Sequence, residues 1–421
     1  MNTYEKYKDS GVQWIGEIPS HWIVKRFKDC HYEVDNRVEE RWSDFPLLSL
    51  SKKGVIPRDI DSGVGKFPGS FNDYKEIEPD DLIFCLYDIE ETPRTIGLSD
   101  LHGMITGSYK VFRTNGVLPK YTYYVYLSID DVKGLKPFYT GLRNVVRPET
   151  FKSLPFITPP LTEQHQIVSF LDEKTSLIDD LINKKEQKIG LLKEYRTSLI
   201  NRVITKGLNP DCPMKDSGVE WIGEIPSHWD VKRLKFLFHI VKDISGELGY
   251  DVLSVTQRGL KKKDLTTNEG QMSMDYSKYQ FVRPGQFVMN HMDLLTGYID
   301  ISQYDGVTSP DYRVFEVSGE SVSPRYYLSI FQMCYHTRIF YGLGSGVSTS
   351  GRWRLPSDEF LNFSLPYPPL TEQEQIVSVL DEKTGEIDRT IQSEVNKIEL
   401  LKEYRQSLIS SVITGKIKVV N

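Results

Sequence analysis

Apolar residues return at every seventh position in two stretches of this chain. From Leu161 onward, Leu171, Ile178, Leu192 and Leu199 stand at multiples of seven, Lys185 interrupts the run, and Leu181 and Tyr195 occupy an adjoining position. The second stretch keeps that spacing with Leu380, Ile387, Leu401 and Leu408, and Tyr404 matches Tyr195. Such a period predicts a long helix with an apolar seam in each stretch. Two prolines precede each helix, Thr162 is the expected N-cap of the first, and Thr371 with Glu374 forms a capping box in the second that His165 removes from the first. Gly207 and Gly415 fall where the helices should stop. Unbroken from Thr162 to Lys206, the first would run roughly 68 Å at about 1.5 Å per residue, far too long to bury inside one domain. A lone helix of this kind would expose its seam, so pairing of the two, antiparallel and pseudo-twofold, is expected. The alternative is that each helix packs onto its own globular module. Elsewhere the pattern shortens: LIFCLYDI (Leu82 to Ile89), GSYKVFRT (Gly107 to Thr114) and YRVFEV (Tyr312 to Val317) are aromatic and β-branched and read as strands.

The seam is one part of a larger duplication. KDSGVQWIGEIPSHWIVKRFK (Lys8 to Lys28) returns as KDSGVEWIGEIPSHWDVKRLK (Lys215 to Lys235), 18 of 21 positions identical. PPLTEQHQIVSFLDEKT (Pro159 to Thr175) returns as PPLTEQEQIVSVLDEKT (Pro368 to Thr384), and LLKEYRTSLINRVIT (Leu191 to Thr205) as LLKEYRQSLISSVIT (Leu400 to Thr414). Between these ends lie two divergent stretches that align only through a thin skeleton. LLSLSKKGVIPRD (Leu47 to Asp59) matches VLSVTQRGLKKKD (Val252 to Asp264), and YLSI recurs at Tyr126 and Tyr327. The chain is two tandem copies of one unit of about 210 residues, each with a repeated frame around a variable module.

Composition narrows the class. At 421 residues with 39% hydrophobic, 12% aromatic and 26% charged residues, the chain has the makings of ordered cores. No apolar leader or run of eighteen apolar residues is present, which points to the cytoplasm. Cys30, Cys85, Cys212 and Cys334 lack CxxC spacing, so they read as packing or surface thiols rather than zinc ligands. The net charge is −6, and the variable stretches are not basic in bulk: residues 29 to 155 hold 16 Lys+Arg against 20 Asp+Glu, and residues 236 to 364 hold 12 against 14. A nucleic-acid contact must therefore rest on local cations or on a partner.

Catalytic signatures are missing: no [DN]PP[FY], GxxxxGK[ST], HExxH or GxSxG occurs. Asp172-Glu173-Lys174 and Asp381-Glu382-Lys383 place an acid near a lysine as metal-dependent nucleases do, but inside a helical run, where they read as a solvated face. The glycine stretch from Gly342 to Arg354 lacks the lysine of a phosphate loop. DNA reading is better supported, because the residues that differ between copies at corresponding points are of the reading kind. Lys52, Lys53 and Arg58 stand against Gln257, Arg258, Lys261, Lys262 and Lys263. Arg143, Asn144 and Arg147 stand against Ser345, Ser348, Thr349, Ser350, Arg352 and Arg354. Arg, Lys, Asn and Gln bond base edges in the major groove; Ser, Thr and Lys serve phosphates. Tyr87, Tyr109 and Tyr312 are either core or able to stack on an extruded base. Trp14/Trp221 and Trp22/Trp229 read as anchors pinning each module to the helices, since near-identity between copies does not suit the reading of two different sequences.

SGVxWIGEIPSHWxVKR at the head of each half, the LSxxxxG skeleton and PPLTEQxQI at each helix start resemble the specificity subunits of Type I restriction-modification systems over nearly the whole chain. The resemblance implies an α+β chain of two globular target-recognition domains, residues 1–158 and 208–367, joined by two long antiparallel coiled-coil helices in 159–207 and 368–421. It implies a bipartite, asymmetric site on double-stranded DNA. It further implies two modification subunits that methylate adenine with S-adenosylmethionine and two restriction subunits that cleave DNA with ATP and magnesium, with no cofactor or metal in this chain. A self-contained DNA-modifying enzyme would need the absent motifs. A coiled-coil scaffold that binds no DNA would not need modules that diverge in their loops on one skeleton.

Overall fold

The computed structural model describes residues 3–12, 15–59, 68–264, 275–346 and 353–419. The chain divides into two compact units, one made of residues 1–186 with 395–421, the other of 187–394. Each unit therefore combines one variable module with the beginning of one long helix and the end of the other.

The first unit is built on a four-stranded antiparallel sheet in the order His31–Val34, Lys110–Thr114, Leu82–Phe84, Ile96–Leu98. The second repeats it as Phe238–Val241, Arg313–Val317, Phe287–Met289, Ile299–Ile301. A hairpin accompanies each sheet, Leu48–Ser51 with Gly54–Pro57 and Leu253–Thr256 with Gly259–Lys262. The helices Pro119–Asp131 and Pro324–His336 follow. Each module closes when its last strand pairs with the repeated leader: Pro155–Thr158 with Ile23–Arg26, and Ser364–Tyr367 with Asp230–Arg233. Aromatic side chains dominate both cores. Trp22, Phe27, Phe112, Tyr121, Phe151 and Phe156 are fully buried in the first, and Trp229, Phe238, Phe287, Phe315, Tyr326 and Tyr327 in the second. Removing each such side chain from water contributes about 1.5–3 kcal/mol.

The long helices span Leu161–Lys206 and Leu370–Ile413. In the first unit Leu171, Ile178 and Leu408 are buried in the module's own core cluster, with Leu401 packed against it. In the second unit Leu199, Leu380 and Ile387 are buried likewise, with Leu192 at the edge. Helix pairing and helix-on-module packing thus share one core in each unit. The segments run antiparallel: Lys188 pairs with Glu394 at 3.0 Å and Arg196 with Asp388 at 3.0 Å in the second unit, and Arg405 with Asp179 at 3.0 Å in the first.

Two expectations about these helices are corrected. Tyr195 and Tyr404 do not lie on the seam; they are 56% and 47% exposed, and Leu181 is exposed too. Burial instead follows Leu171, Thr175, Ile178 and Ile182, then Ile189, Leu192, Arg196, Leu199 and Val203, in steps of four and three. At 3.6 residues per turn, positions three and four beyond each leucine flank it on opposite sides, and the module beneath selects the +4 side. The expected threonine caps are also absent, because the helices begin one residue earlier, at Leu161 and Leu370. Pro160 and Pro369 present the carbonyls that accept the first helical N–H groups, from Gln164 at 3.0 Å and from Gln373 at 3.0 Å.

Candidate DNA-reading surface

The repeated frame holds each module through the same two side chains, Glu and Gln of the TEQ run. Glu163 accepts from the indole N–H of the buried Trp22 (2.9 Å) and the hydroxyl of Tyr4 (3.2 Å), and pairs with His21 (2.6 Å). Glu372 accepts from the Trp229 indole (2.9 Å) and pairs with His228 (2.7 Å). A carboxylate in the first helical turn also faces the positive end of the helix dipole. Gln164 accepts from the Leu118 N–H at 2.9 Å and donates to the Pro159 carbonyl at 2.9 Å; Gln373 does the same with Ser323 (2.8 Å) and Pro368 (2.9 Å). These bonds carry the chain from long helix to leader and to the module's own helix. Gly415 and Gly207 stop the opposite helix ends at φ 74° and 72° and rest against Trp22 and Trp229. Trp14 lies outside the described residues. Trp221 stacks on Phe363 with ring centroids 5.1 Å apart, as an anchor would.

On this frame the candidate reading residues gather at turns. Lys52 and Lys53 form the tip of the first hairpin, and Gln257 and Arg258 the tip of its counterpart. The turns are locked alike: Ser51 Oγ donates to the Gly54 carbonyl (3.0 Å) and accepts from the Lys53 N–H (3.1 Å), while Thr256 Oγ1 donates to Gly259 (2.9 Å) and accepts from Arg258 (3.2 Å). Such side-chain-to-backbone closure fixes the loop while its tip residues remain free to vary. Lys52, Lys53, Arg258 and Lys261 are exposed and make no ion pair among the described residues. Lys262 is neutralised by Asp251 at 2.5 Å. Arg58 and Lys263 are half-buried at the feet of the hairpins, where their N–H groups donate to Leu47 (2.8 Å) and Val252 (2.7 Å).

A second turn in each module carries the remaining candidates. Thr140 and Val145 close a six-residue loop holding Arg143 and Asn144; Ser345 and Arg354 close a ten-residue loop at the matching place. Arg352, with Ser348, Thr349 and Ser350, lies outside the described residues. Arg143 is not a free reader. Its Nε donates to Asp88 at 3.1 Å, its Nη2 pairs with the same carboxylate, and its guanidinium covers the Tyr87 ring at 5.1 Å. That pairing holds the Asp88 carboxyl below its ordinary range. Tyr87 in turn contacts Tyr109, centroids 6.1 Å apart, and burial pushes Tyr109 up to about 12. These two tyrosines and Tyr312 are half-buried, and Tyr109 and Tyr312 pack against the apolar clusters that include the hairpin residues Leu48 and Leu253. Arg147 is exposed and precedes the short helix Pro148–Ser153.

The two loops differ in the charge beneath them. Under the second, Arg313 is buried and donates to the Leu355 carbonyl and the Ser357 hydroxyl, both at 3.1 Å, with no carboxylate partner among the described residues; burial brings its pKa to about 10. His291 nearby is pushed down to about 4 by burial, then by Arg313 and Arg354. In the first module the matching strand position is Lys110, balanced by Glu33 at 2.7 Å. Beside the Ser345–Arg354 bridge, then, lies a buried arginine with no carboxylate partner among the described residues, where the first module pairs its lysine with a glutamate.

The acid–lysine runs on the long helices are accounted for by surface pairing. Asp172 accepts from Tyr124 (2.6 Å) and Lys120 (3.0 Å), Asp381 pairs with Arg325 (2.8 Å), and Lys174 and Lys383 pair with neighbouring glutamates. Among the described residues there is no cluster of His, Cys, Asp and Glu able to hold a metal, and no helix is long and apolar enough to cross a membrane.

The profile of the family described as "Type I restriction modification DNA specificity domain" matches residues 105–191 and 226–399, well over half of the sequence. The chain belongs to that family, whose role is recognition rather than catalysis. Among similar proteins, the Type I restriction enzyme MjaVIII specificity subunit of Methanocaldococcus jannaschii is 25% identical over 300 residues, covering 67% of this chain and 66% of that one. The putative Type I restriction enzyme MjaX specificity subunit of the same organism is 23% identical over 434 residues, 96% of each. The fold is shared with a chain from a structure titled "Structural basis underlying complex assembly and conformational transition of the type I R-M system" (TM-score 0.69, 16% identity, 95% of this chain and 99% of that one). It is shared as well with the HsdS subunit from Thermoanaerobacter tengcongensis (TM-score 0.53, 15% identity, 95% and 98%).

Proposed function

We propose that each variable module reads one half of a bipartite, asymmetric sequence on double-stranded DNA, and that the chain itself performs no chemistry. The observation that carries this reading is the pair of matched hairpins. Their turns are locked by the same hydroxyl-to-backbone bonds, yet their tips differ, Lys52-Lys53 in one and Gln257-Arg258 in the other. A common scaffold with divergent polar tips is what two independent sequence readers require. Lys52, Lys53, Arg147, Arg258, Lys261, Ser345 and Arg354 are the residues proposed to face DNA.

Methylation of adenine with S-adenosylmethionine would come from two modification subunits, and cleavage with ATP and magnesium from two restriction subunits, all in the cytoplasm. With a net charge of −6, this chain relies on those partners for much of the phosphate contact. The test is an exchange of residues 29–155 for the corresponding region of another specificity subunit, followed by methylome sequencing of cells that also express the modification partner. One half of the methylated sequence should change and the other persist. A methylome in which both halves change, or neither does, refutes modular reading. The purified chain alone, given DNA, S-adenosylmethionine, ATP and magnesium, should leave the DNA unaltered.

A further inference from the structure

The loop closed by Thr140 and Val145 is held with unusual firmness for a surface turn. Thr140 and Val145 exchange backbone bonds of 2.9 and 3.1 Å, and the Thr140 hydroxyl adds a third at 3.0 Å. The Arg143 carbonyl accepts from the Asp88 N–H at 2.7 Å while the Arg143 side chain grips the Asp88 carboxylate and lies over Tyr87. Gly141 and Asn144 both adopt left-handed backbone, φ 71° and 45°, and bracket a two-residue tip. At that tip Leu142 is wholly exposed, at 104%, the most exposed large apolar side chain among the described residues. Asn144 beside it has a side-chain amide with no hydrogen bond among the described residues. A single exposed leucine is ordinary on a protein surface. The turn thus presents an exposed leucine and an unengaged amide two residues apart, with the arginine between them committed to bracing.

We propose that Leu142 and Asn144 read one A·T pair of the first half-site from the major groove. Asn144 bonds adenine through N6 and N7, and Leu142 covers the 5-methyl group of the paired thymine. This rests on the reading of the first module as a DNA reader, and it makes Leu142 and Asn144, rather than Arg143, the specificity-determining residues of the loop. The chemistry is specific to that base pair: an amide matches adenine bidentately, and among the four unmodified bases only thymine offers a methyl group in the groove. Bracing the turn in advance lowers the ordering cost on binding.

The experiment uses the full chain assembled with its modification subunits and the bipartite site defined by methylome sequencing. Competition binding is measured with deoxyuridine replacing each thymine of the first half-site in turn, and with every base-pair substitution there, for the wild type, Leu142→Ala and Asn144→Ala. At one A·T pair, loss of the methyl should weaken the wild type about fourfold, the equivalent of one buried carbon, and leave Leu142→Ala indifferent. Asn144→Ala should lose on the order of tenfold discrimination at that same pair. The second half-site should be read as before by both variants. The inference is overturned if Leu142→Ala still distinguishes thymine from uracil wherever the wild type does, if Asn144→Ala relaxes a different pair or none, or if the first half-site contains no A·T pair. Exchange of residues 29–155 separates the two levels. If that exchange fails to alter the first half-site, the DNA-reading assignment itself falls; if it succeeds while both point variants are silent, only this inference does.

Discussion

His31 makes the first unit sensitive to acid in a way that a single substitution should remove. Its ring is buried, 5% exposed, and stacks on Phe27 with centroids 3.9 Å apart. A carbonyl can only accept, so Nδ1 carries the proton donated to Phe27 O at 2.8 Å, and Nε2 accepts from the Thr122 hydroxyl at 2.9 Å. Burial outweighs the bond to Phe27 and lowers the pKa to about 4, against about 6.5 in an unfolded chain. As pH falls, the unfolded chain takes up this proton first. The contribution of neutral His31 is therefore complete above about pH 6.5 and is lost progressively toward pH 4. Between pH 7.5 and 5.0 the loss is about 2 kcal/mol, since pH 5.0 lies about 1.5 units below the unfolded pKa and each unit is about 1.4 kcal/mol. The second unit carries Phe238 at the corresponding start of its sheet, fully buried among aromatic rings, so His31→Phe is compatible in shape. At neutral pH the variant should lose about 1 kcal/mol from the unpartnered Thr122 hydroxyl. Between pH 7.5 and 5.0 it should lose about 2 kcal/mol less than the wild type. Pulse-labelling hydrogen exchange along a urea series at both pH values reads the two units separately, and other titrating groups cancel in the comparison. If wild type and variant fall by the same amount, to within about 0.5 kcal/mol, His31 is not the group described here.

Glu163→Ala leaves the Trp22 indole N–H buried and unanswered, and should destabilise the first unit by about 2–4 kcal/mol while sparing the second; Glu372→Ala should do the reverse, and the same exchange experiment distinguishes them. Gly415→Ala should be more damaging than Gly207→Ala, although both sit at a left-handed helix end. A Cβ at 415 would lie 2.3 Å from Pro19, whereas at 207 the nearest atom is 3.1 Å away on Trp229, and thermal unfolding should rank them accordingly. Tyr404→Ser and Tyr195→Ser should each change stability by no more than about 0.5 kcal/mol, whereas Ile387→Ala, buried at 7%, should cost about 2–5 kcal/mol.

What the sequence made legible was whatever repeats. Two copies of a seam, a leader and a TEQ run announce two homologous units, and the strand-like runs at Leu82, Tyr109 and Tyr312 fall in the central sheets. What it hid was orientation around an axis and contact across distance. A heptad count cannot choose between positions three and four beyond a leucine, which is why Tyr195 and Tyr404 were expected inward. Thr162 and Thr371 have the composition of caps, but the preceding proline carbonyls supply the acceptors and the helices start earlier. Arg143 is of a base-reading type, and only the approach of Asp88, 55 residues away, shows it engaged as a brace. Leu142 gave no signal at all, because an apolar residue between two helices is ordinarily core, and its exposure follows from the turn around it. The run SHW, by contrast, is one that sequence alone can pair with TEQ: both recur together, and a buried tryptophan needs an acceptor for its indole.

The division between conserved frame and variable module follows from where each side chain spends its hydrogen bonds. Glu163, Trp22 and Gly415 are committed to one another within the first unit and Gln164 to the backbone of Leu118 and Pro159, and Glu372, Trp229, Gly207 and Gln373 are committed likewise within the second. A change at any of these leaves a buried donor unanswered or drives a Cβ into a neighbour, so the two copies have little freedom to diverge there. The hairpin tips are under no such constraint. Their turns are closed by Ser51 or Thr256 and by a glycine at φ 97° or 101°, so Lys52, Lys53, Gln257 and Arg258 contribute no bond that the fold depends on through their side chains. Substitution there alters what the surface presents and leaves the scaffold unstrained. Two modules that present different surfaces on one architecture have to separate these two sets of residues, and in this chain the separation runs along the boundary between identical and divergent sequence.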